Sequence, residues 1–109
     1  MIASDDDVAI AAVTAAELLV GVRLADVKRR LAREEFVEGV LSILPVEEYD
    51  LAAARAHAVL LAHTRELGRQ RGAHDLIIAA TAVSRDRIVV SADRLAFEDL
   101  PGVRLRLIG

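Results

Sequence analysis

The run of residues 75–83, which reads DLIIAATAV, constrains the fold of this chain more than any other segment. Apart from the aspartate and one threonine, the run is apolar on every side, so a helix formed by it has no face suited to water. Because a helix of this kind has to be covered by other elements, we predict that residues 75–83 form a helix that packs against a sheet inside the domain.

Short apolar segments alternate with segments of helical periodicity along the rest of the chain. Residues 8–13 and 88–90 are typical of strands buried on both faces, and residues 103–108 alternate like a half-exposed edge strand. Strands that alternate with helices favour a mostly parallel sheet with helices on both faces. We therefore predict a three-layer α/β fold.

Further helices and one more strand complete this prediction. Helical periodicity covers residues 15–22, 25–41 and 51–67. Asp50 is the expected N-cap of the last of these helices, and Gly68 is expected to end it. Residues 43–46 are a strand candidate at a sheet edge or strand end, because they contain a proline.

Composition limits the kind of protein this chain can be. No linker-like segment interrupts the 109 residues, so we predict one domain over residues 1–109. The absence of cysteine excludes a disulfide framework, a zinc knuckle and a thiol nucleophile, and it suits a cytoplasmic protein. No apolar stretch has the length of a membrane span. The net charge of −3 requires any contact with nucleic acid to be local.

Glu17, Asp75 and Asp93 are acids that stand close to predicted strands or to the apolar helix. Taken singly, each has a structural explanation. Glu17 closes a capping box that begins at Thr14. Asp75 suits the positive end of a helix dipole, and Asp93 suits a turn that follows a strand.

Taken together, the same acids indicate a metal site. Glu17 and Asp93 each follow the carboxyl end of a strand, where open α/β sheets place their active sites. Asp75 begins the apolar helix, so its carboxylate is expected to be drawn toward the interior. Carboxylates that converge repel one another, and a hard divalent cation relieves that repulsion. The sequence therefore predicts Mg²⁺ at this edge of the sheet, with Mn²⁺ as the alternative.

Three blocks of the sequence resemble the PIN domain of VapC toxins over nearly the whole chain. The first reads VTAAEL at residues 13–18 and continues with GV at 21–22. The second, GAHDLIIAATA at residues 72–82, is the most specific. The third begins with VVSAD at residue 89 and runs through Phe97 to LPGV at 100–103.

The resemblance implies a PIN-like domain that acts as a Mg²⁺-dependent endoribonuclease, the toxin of a toxin–antitoxin pair, on RNA such as tRNA. It makes Glu17, Asp75 and Asp93 the catalytic acids that hold the metal. It places the hydroxyl groups of Thr14 and Ser91 behind them, where a hydroxyl orients an acid or a metal-bound water.

Partners are expected from the charges and from the same resemblance. Arg65, Arg69 and Arg71 surround the loop before Asp75. RNA phosphates are expected to meet Arg69 and Arg71 there, although an ordinary solvated loop explains these residues equally well. The charged helix of residues 25–41 corresponds to the region gripped by a cognate antitoxin, and a homodimer is expected. The histidines are too poorly spaced for a metal cluster, and the resemblance gives His74 no fixed role.

The start of the chain departs from the family pattern. VapC toxins begin with a central strand that carries an Asp, and no such strand precedes residues 8–13 here. Asp5, Asp6 and Asp7 are expected in the loop that leads into that segment. We therefore predict an N-terminally incomplete domain that lacks the central strand and its acid. The rival hypothesis is an inactive remnant that only binds an antitoxin or itself, and metal binding and RNA cleavage separate the two.

Overall fold

A computed structural model describes residues 2–3 and 8–108. Asp5, Asp6 and Asp7, expected in a loop, lie outside these described residues. In chain order the elements are β1 (Ile2–Ala3), β2 (Val8–Ala11), α1 (Ala12–Leu24), α2 (Val27–Ile43), β3 (Val46–Glu47), α3 (Leu51–Leu67), α4 (Ala73–Ser84), β4 (Ile88–Ser91), α5 (Arg94–Phe97) and β5 (Leu105–Leu107).

The strands form one sheet in the order β3-β2-β1-β4-β5. The pairs β2–β3 and β4–β5 are parallel, whereas β1 runs antiparallel to both β2 and β4. All strands except β1 therefore point the same way, and their carboxyl ends lie at one edge of the sheet. The predicted α/β class with a mostly parallel sheet is confirmed.

The short strand β1 fills the central position that the sequence analysis left empty. Ile2 stands opposite Ala9 of β2 on one side and opposite Val89 of β4 on the other. This placement gives backbone partners to two strands whose inner edges would otherwise be unpaired. The strand runs against its neighbours, and it is two residues long.

Helix α1 begins earlier than predicted, and this corrects one interpretation. Its first residue is Ala12, and the N-cap is Ala11, which makes no side-chain cap bond. Thr14 therefore already lies within the first turn, so the capping-box explanation of Glu17 is wrong. The strand β2 ends after Ala11, and alanine favours helix strongly enough for the helix to begin at once.

Helix α4 is the buried helix that the apolar run predicted, and it begins at Ala73 with Gly72 as its N-cap. It contacts α3, α1, β2 and β4, so it spans the central part of the sheet. The hydroxyl of Thr81 is buried and donates to the carbonyl oxygen of Ile77 at 2.8 Å, which satisfies the polar group of this apolar run. The core around α4 comprises Ala11, Leu60, Leu76, Ala79, Ala80, Ala82, Val89, Ala96, Phe97 and Leu100.

Caps define both ends of α3, and an ion pair ties the end of α4 to β3. At the start of α3, Asp50 accepts a hydrogen bond from the backbone N–H of Ala53 at 3.0 Å, as predicted for an N-cap. That bond, helped by the Arg85 guanidinium, holds the pKa of Asp50 below its usual value. Gly68 ends α3 with a φ of 65°, in the left-handed region that favours glycine. The guanidinium of Arg85 also lies 3.2 Å from the carboxylate of Glu47, so the end of α4 is tied to β3.

In the described part of the chain, no helix is both long and apolar enough to cross a membrane.

Candidate active site

The three predicted acids are carried by three different elements. Glu17 lies in the second turn of α1, which follows β2 directly. Asp75 lies in the first turn of α4. Asp93 is the N-cap of α5, in the turn that follows β4. Because β2 and β4 run in the same direction, the segments that leave their carboxyl ends begin at one edge of the sheet.

Asp75 is the electrostatic centre of this group. It is half-buried, and burial raises the pKa of its carboxyl group above the usual value. The negative charges of Asp93 and Glu17 raise that pKa further, while His74 opposes them. Both other carboxylates are therefore close enough to act on Asp75, and the ionised site carries an excess of negative charge.

Asp93 has a structural task beside any chemical one. Its Oδ1 accepts a hydrogen bond from the backbone N–H of Ala96 at 3.1 Å, so it caps the short helix α5. Its own backbone N–H donates to the hydroxyl oxygen of Ser91 at 3.0 Å. The Ser91 hydroxyl therefore stabilises the turn that carries Asp93. Thr14, the other predicted hydroxyl, lies on α1 one turn before Glu17.

Glu17 is paired with His74, a contact that the sequence analysis missed. The Nδ1 atom of His74 and the Oε1 atom of Glu17 form a hydrogen bond between α4 and α1, and both side chains are about half exposed. The two residues are far apart in sequence, so no local pattern predicts the pair. The one available signal was the position of His74 directly before Asp75.

Gly72 is a second residue that the sequence analysis did not single out. A Cβ atom built on Gly72 would lie 2.7 Å from Oδ2 of Asp75, closer than such atoms approach one another in proteins. The missing side chain therefore lets the Asp75 carboxylate fold back over the start of α4. The available signal was a glycine in the N-cap position just before the acid.

The donor set fits a hard divalent cation in chemistry. Carboxylate oxygens are the ligands that Mg²⁺ and Mn²⁺ prefer. Burial, and then the charges of Asp93 and Glu17, raise the pKa of Asp75, and a cation would offset those charges. Among the described residues, no three acidic or histidine side chains lie close enough together to hold a metal as they stand. Oε1 of Glu17 is bonded to His74, so Glu17 would have to exchange this partner for a cation. The α5 cap uses Oδ1 of Asp93 and can persist when Oδ2 meets a cation.

The two arginines predicted near RNA differ in their surroundings. Arg69 is exposed, whereas Arg71 is half-buried and donates a hydrogen bond to the carbonyl oxygen of Leu95. Both line a cleft of about 250 Å³ between the loop before α4 and helix α5, together with Gln70, Leu95 and Glu98.

A mostly parallel sheet, with Glu17 and Asp93 on segments that leave the carboxyl ends of its strands, defines an α/β domain of the class that places its sites at that edge. Residues 1–103 match the PIN domain family. The chain belongs to that family, in its VapC branch.

Known proteins are similar to this chain in sequence and in fold. The chain is 34% identical over 99 residues to the tRNA(fMet)-specific endonuclease VapC of Salmonella typhimurium. This alignment covers 88% of this chain and 71% of that protein. Ribonuclease VapC5 of Mycobacterium tuberculosis is 44% identical over 92 residues, covering 81% of this chain and 65% of the relative. The crystal structure of VapBC-5 from Mycobacterium tuberculosis, a member of the VapBC family of toxin-antitoxin systems, matches with a TM-score of 0.84 at 36% identity, covering 94% of this chain and 83% of that one.

Proposed function

We propose that this chain is the ribonuclease toxin of a toxin–antitoxin pair, an endonuclease that hydrolyses RNA phosphodiester bonds with Mg²⁺ or Mn²⁺. The observation that carries the proposal is the electrostatic state of Asp75. Burial and the charges of Asp93 and Glu17 raise its pKa, as expected where a protein gathers carboxylates for a cation. We place the activity in the cytoplasm, together with its RNA substrate.

The residues of the site have distinct roles in this proposal. Glu17, Asp75 and Asp93 would hold the cation, which when bound activates water and offsets the charge of the phosphate group. Ser91 holds the turn that carries Asp93. No side chain has to act as a nucleophile.

The substrate class follows from charge and from the relatives. The net charge of −3 gives the chain no overall attraction for nucleic acid, so binding depends on local cations such as Arg69. Aromatic residues make up 3% of the sequence, which leaves little capacity for stacking on bases. We therefore propose a folded RNA such as tRNA, recognised mainly through its backbone and shape.

The proposal predicts metal-dependent cleavage by the purified chain. We expect a labelled tRNA pool to be cut at internal sites in Mg²⁺ or Mn²⁺ and to stay intact in excess EDTA, with activity restored when the metal is returned. Gel analysis of the fragments measures this. Undiminished cleavage in EDTA would exclude metal catalysis, and a chain that neither binds Mn²⁺ nor cuts RNA would favour the inactive remnant.

The groove between α1 and α2 is the antitoxin site that we propose. It has a volume of about 580 Å³ and is lined by Ala16, Leu19, Val20, Val22, Arg23, Arg30, Glu34 and Glu38. Leu19 and Val20 are 41% and 53% exposed, so the groove has exposed apolar surface that a helix of a binding partner would bury. With both signs of charge on its rim, it suits an amphipathic segment of an antitoxin. A second copy of this chain is the other candidate occupant.

A matched pair of valine substitutions tests this assignment. We expect Val20→Arg to weaken binding of the cognate antitoxin by at least about tenfold, because a charge replaces a buried apolar contact. Val59→Arg on α3 makes the same change at a position that is 59% exposed and should have little effect. Isothermal titration calorimetry measures both affinities. Equal affinities for the two variants would place the antitoxin elsewhere, and loss of self-association alone would identify a second copy as the occupant.

A further inference from the structure

Arg71 connects the two segments that carry Asp75 and Asp93. It lies in the loop that leads into α4, one turn before Asp75, and its side chain is half-buried. Its Nη1 atom donates a hydrogen bond to the carbonyl oxygen of Leu95 in α5 at 2.8 Å. One side chain thus spans from the loop before one acid to the short helix that follows the other.

Helix α5 needs such support because it is four residues long. A helix of one turn leaves most of its carbonyl groups without an intrahelical partner. The backbone N–H of Glu98 bonds to the carbonyl of Arg94, and Arg71 supplies a donor to the next carbonyl. At the other end, the Asp93 carboxylate accepts from the N–H of Ala96. The helix is therefore fixed at its start by Asp93, and the carbonyl of its second residue is held by Arg71.

We propose that Arg71 is a positioning residue of the metal site, which holds α5 against the loop before α4 and so fixes the Asp93 carboxylate relative to Asp75. This inference rests on the metal-dependent function proposed above. A hydrogen bond from a guanidinium is charge-assisted and directional, so it suits a tether between two short segments. Groups that orient metal-holding side chains typically change metal affinity by about 10–100-fold when they are removed.

The sign of the effect separates this role from simple electrostatics. A positive charge near a cation site repels the cation, so removing the Arg71 charge would by itself tighten metal binding. A lost tether would instead weaken binding, because the acids would no longer be held at a fixed separation. The two explanations therefore predict opposite changes for one substitution.

The experiment measures Mn²⁺ affinity from the electron paramagnetic resonance signal of free Mn²⁺, with the full chain and no RNA. Arg71→Met removes the charge and the hydrogen bond but keeps the apolar stem. Arg94→Met is the matched control, since it removes a charge from α5 itself, where an exposed pair with Glu98 at 3.4 Å contributes little. We expect affinity to fall about tenfold for Arg71→Met and to stay equal or rise for Arg94→Met.

Further variants make each outcome decisive. Arg71→Lys should recover most of the Mn²⁺ affinity, because a lysine can still donate to the Leu95 carbonyl. If the Arg71→Met protein melts below the assay temperature, Arg71→Gln takes its place. Unchanged or tighter binding by a folded Arg71→Met or Arg71→Gln overturns the proposal. Asp75→Asn distinguishes a failure of the proposed function, since Mn²⁺ affinity that is unaffected by this change would show that no metal site exists here.

Discussion

Replacement of Asp75 by asparagine is expected to lower kcat/KM for RNA cleavage by at least about 10²-fold, since even groups that only orient metal-holding side chains cost about 10–100-fold. Asparagine keeps the shape of the side chain but removes the charge that a divalent cation requires. The same substitution is expected to raise the melting temperature of the metal-free protein. Activity and stability should therefore change in opposite directions at this one position.

The direction of the stability change follows from the pKa of Asp75. Burial and the charges of Asp93 and Glu17 raise its pKa in the folded state, so the ionised carboxylate is better accommodated in the unfolded chain. Its ionisation lowers stability above the folded pKa, and this loss is relieved as the pH falls through the raised pKa toward the ordinary value. Asparagine does not ionise, so the variant should lack this contribution to the pH dependence.

Thermal melts in EDTA over a series of pH values, together with RNA cleavage in Mg²⁺, measure both effects. Asp99→Asn is the matched control, because Asp99 is exposed and asparagine tolerates its φ of 61°. This control should change neither the activity nor the pH dependence appreciably. A destabilised but fully active Asp75→Asn protein would contradict both halves of the prediction.

Substitution of Gly72 by alanine is expected to reduce kcat/KM by about 10–100-fold through geometry alone. The added Cβ would lie 2.7 Å from Oδ2 of Asp75, so the carboxylate has to move. A displacement of about 1 Å at a reacting group can cost about 10²-fold. The backbone of Gly72, with a φ of −57°, accepts alanine without strain. Stability should fall by only about 1 kcal/mol, the cost of alanine at an N-cap.

Gly39→Ala provides the comparison, because a Cβ on this α2 residue would meet no atom within 4 Å. Alanine is the better helix former, so this variant should gain about 0.5–1 kcal/mol in the free energy of unfolding. Denaturant melts and cleavage rates of the two glycine variants are measured side by side. An unchanged kcat/KM in Gly72→Ala would show that the Asp75 carboxylate does not need the space that the missing Cβ leaves.

The sequence predicted correctly those elements whose residue pattern is compatible with only one secondary structure and one degree of burial. Residues 75–83 had to be a buried helix because no face of the run suits water, and α4 is that helix. The start of α1 was misplaced because Val13 and Thr14, whose β-branched side chains are typical of strands, lie in its first turn. The strand β1 was missed because two residues carry no periodicity, and its place is set only by the neighbouring strands.

The candidate site likewise has features that the local sequence predicts and features that it does not. Asp75 and Asp93 lie where the strand and helix patterns put them, and the cap formed by Asp93 follows from its local sequence. The pair of Glu17 with His74 and the bond from Arg71 to Leu95 are tertiary contacts. Such contacts depend on how helices pack and not on the spacing of residues along one element, so the sequence pattern did not predict them.

The two-residue central strand has a mechanical consequence for the domain. On one side of β1 lie β2 and β3, and the helix that carries Glu17 follows β2. On the other side lie β4 and β5, with Asp93 between them in the chain. Among the described residues, Ile2 and Ala3 of β1 pair with both halves, and α4, which touches both β2 and β4, is a second connection between them. A cation shared by Glu17 and Asp93 would act as a cross-link between the halves. Metal binding would then stabilise the whole domain against unfolding as well as complete the site.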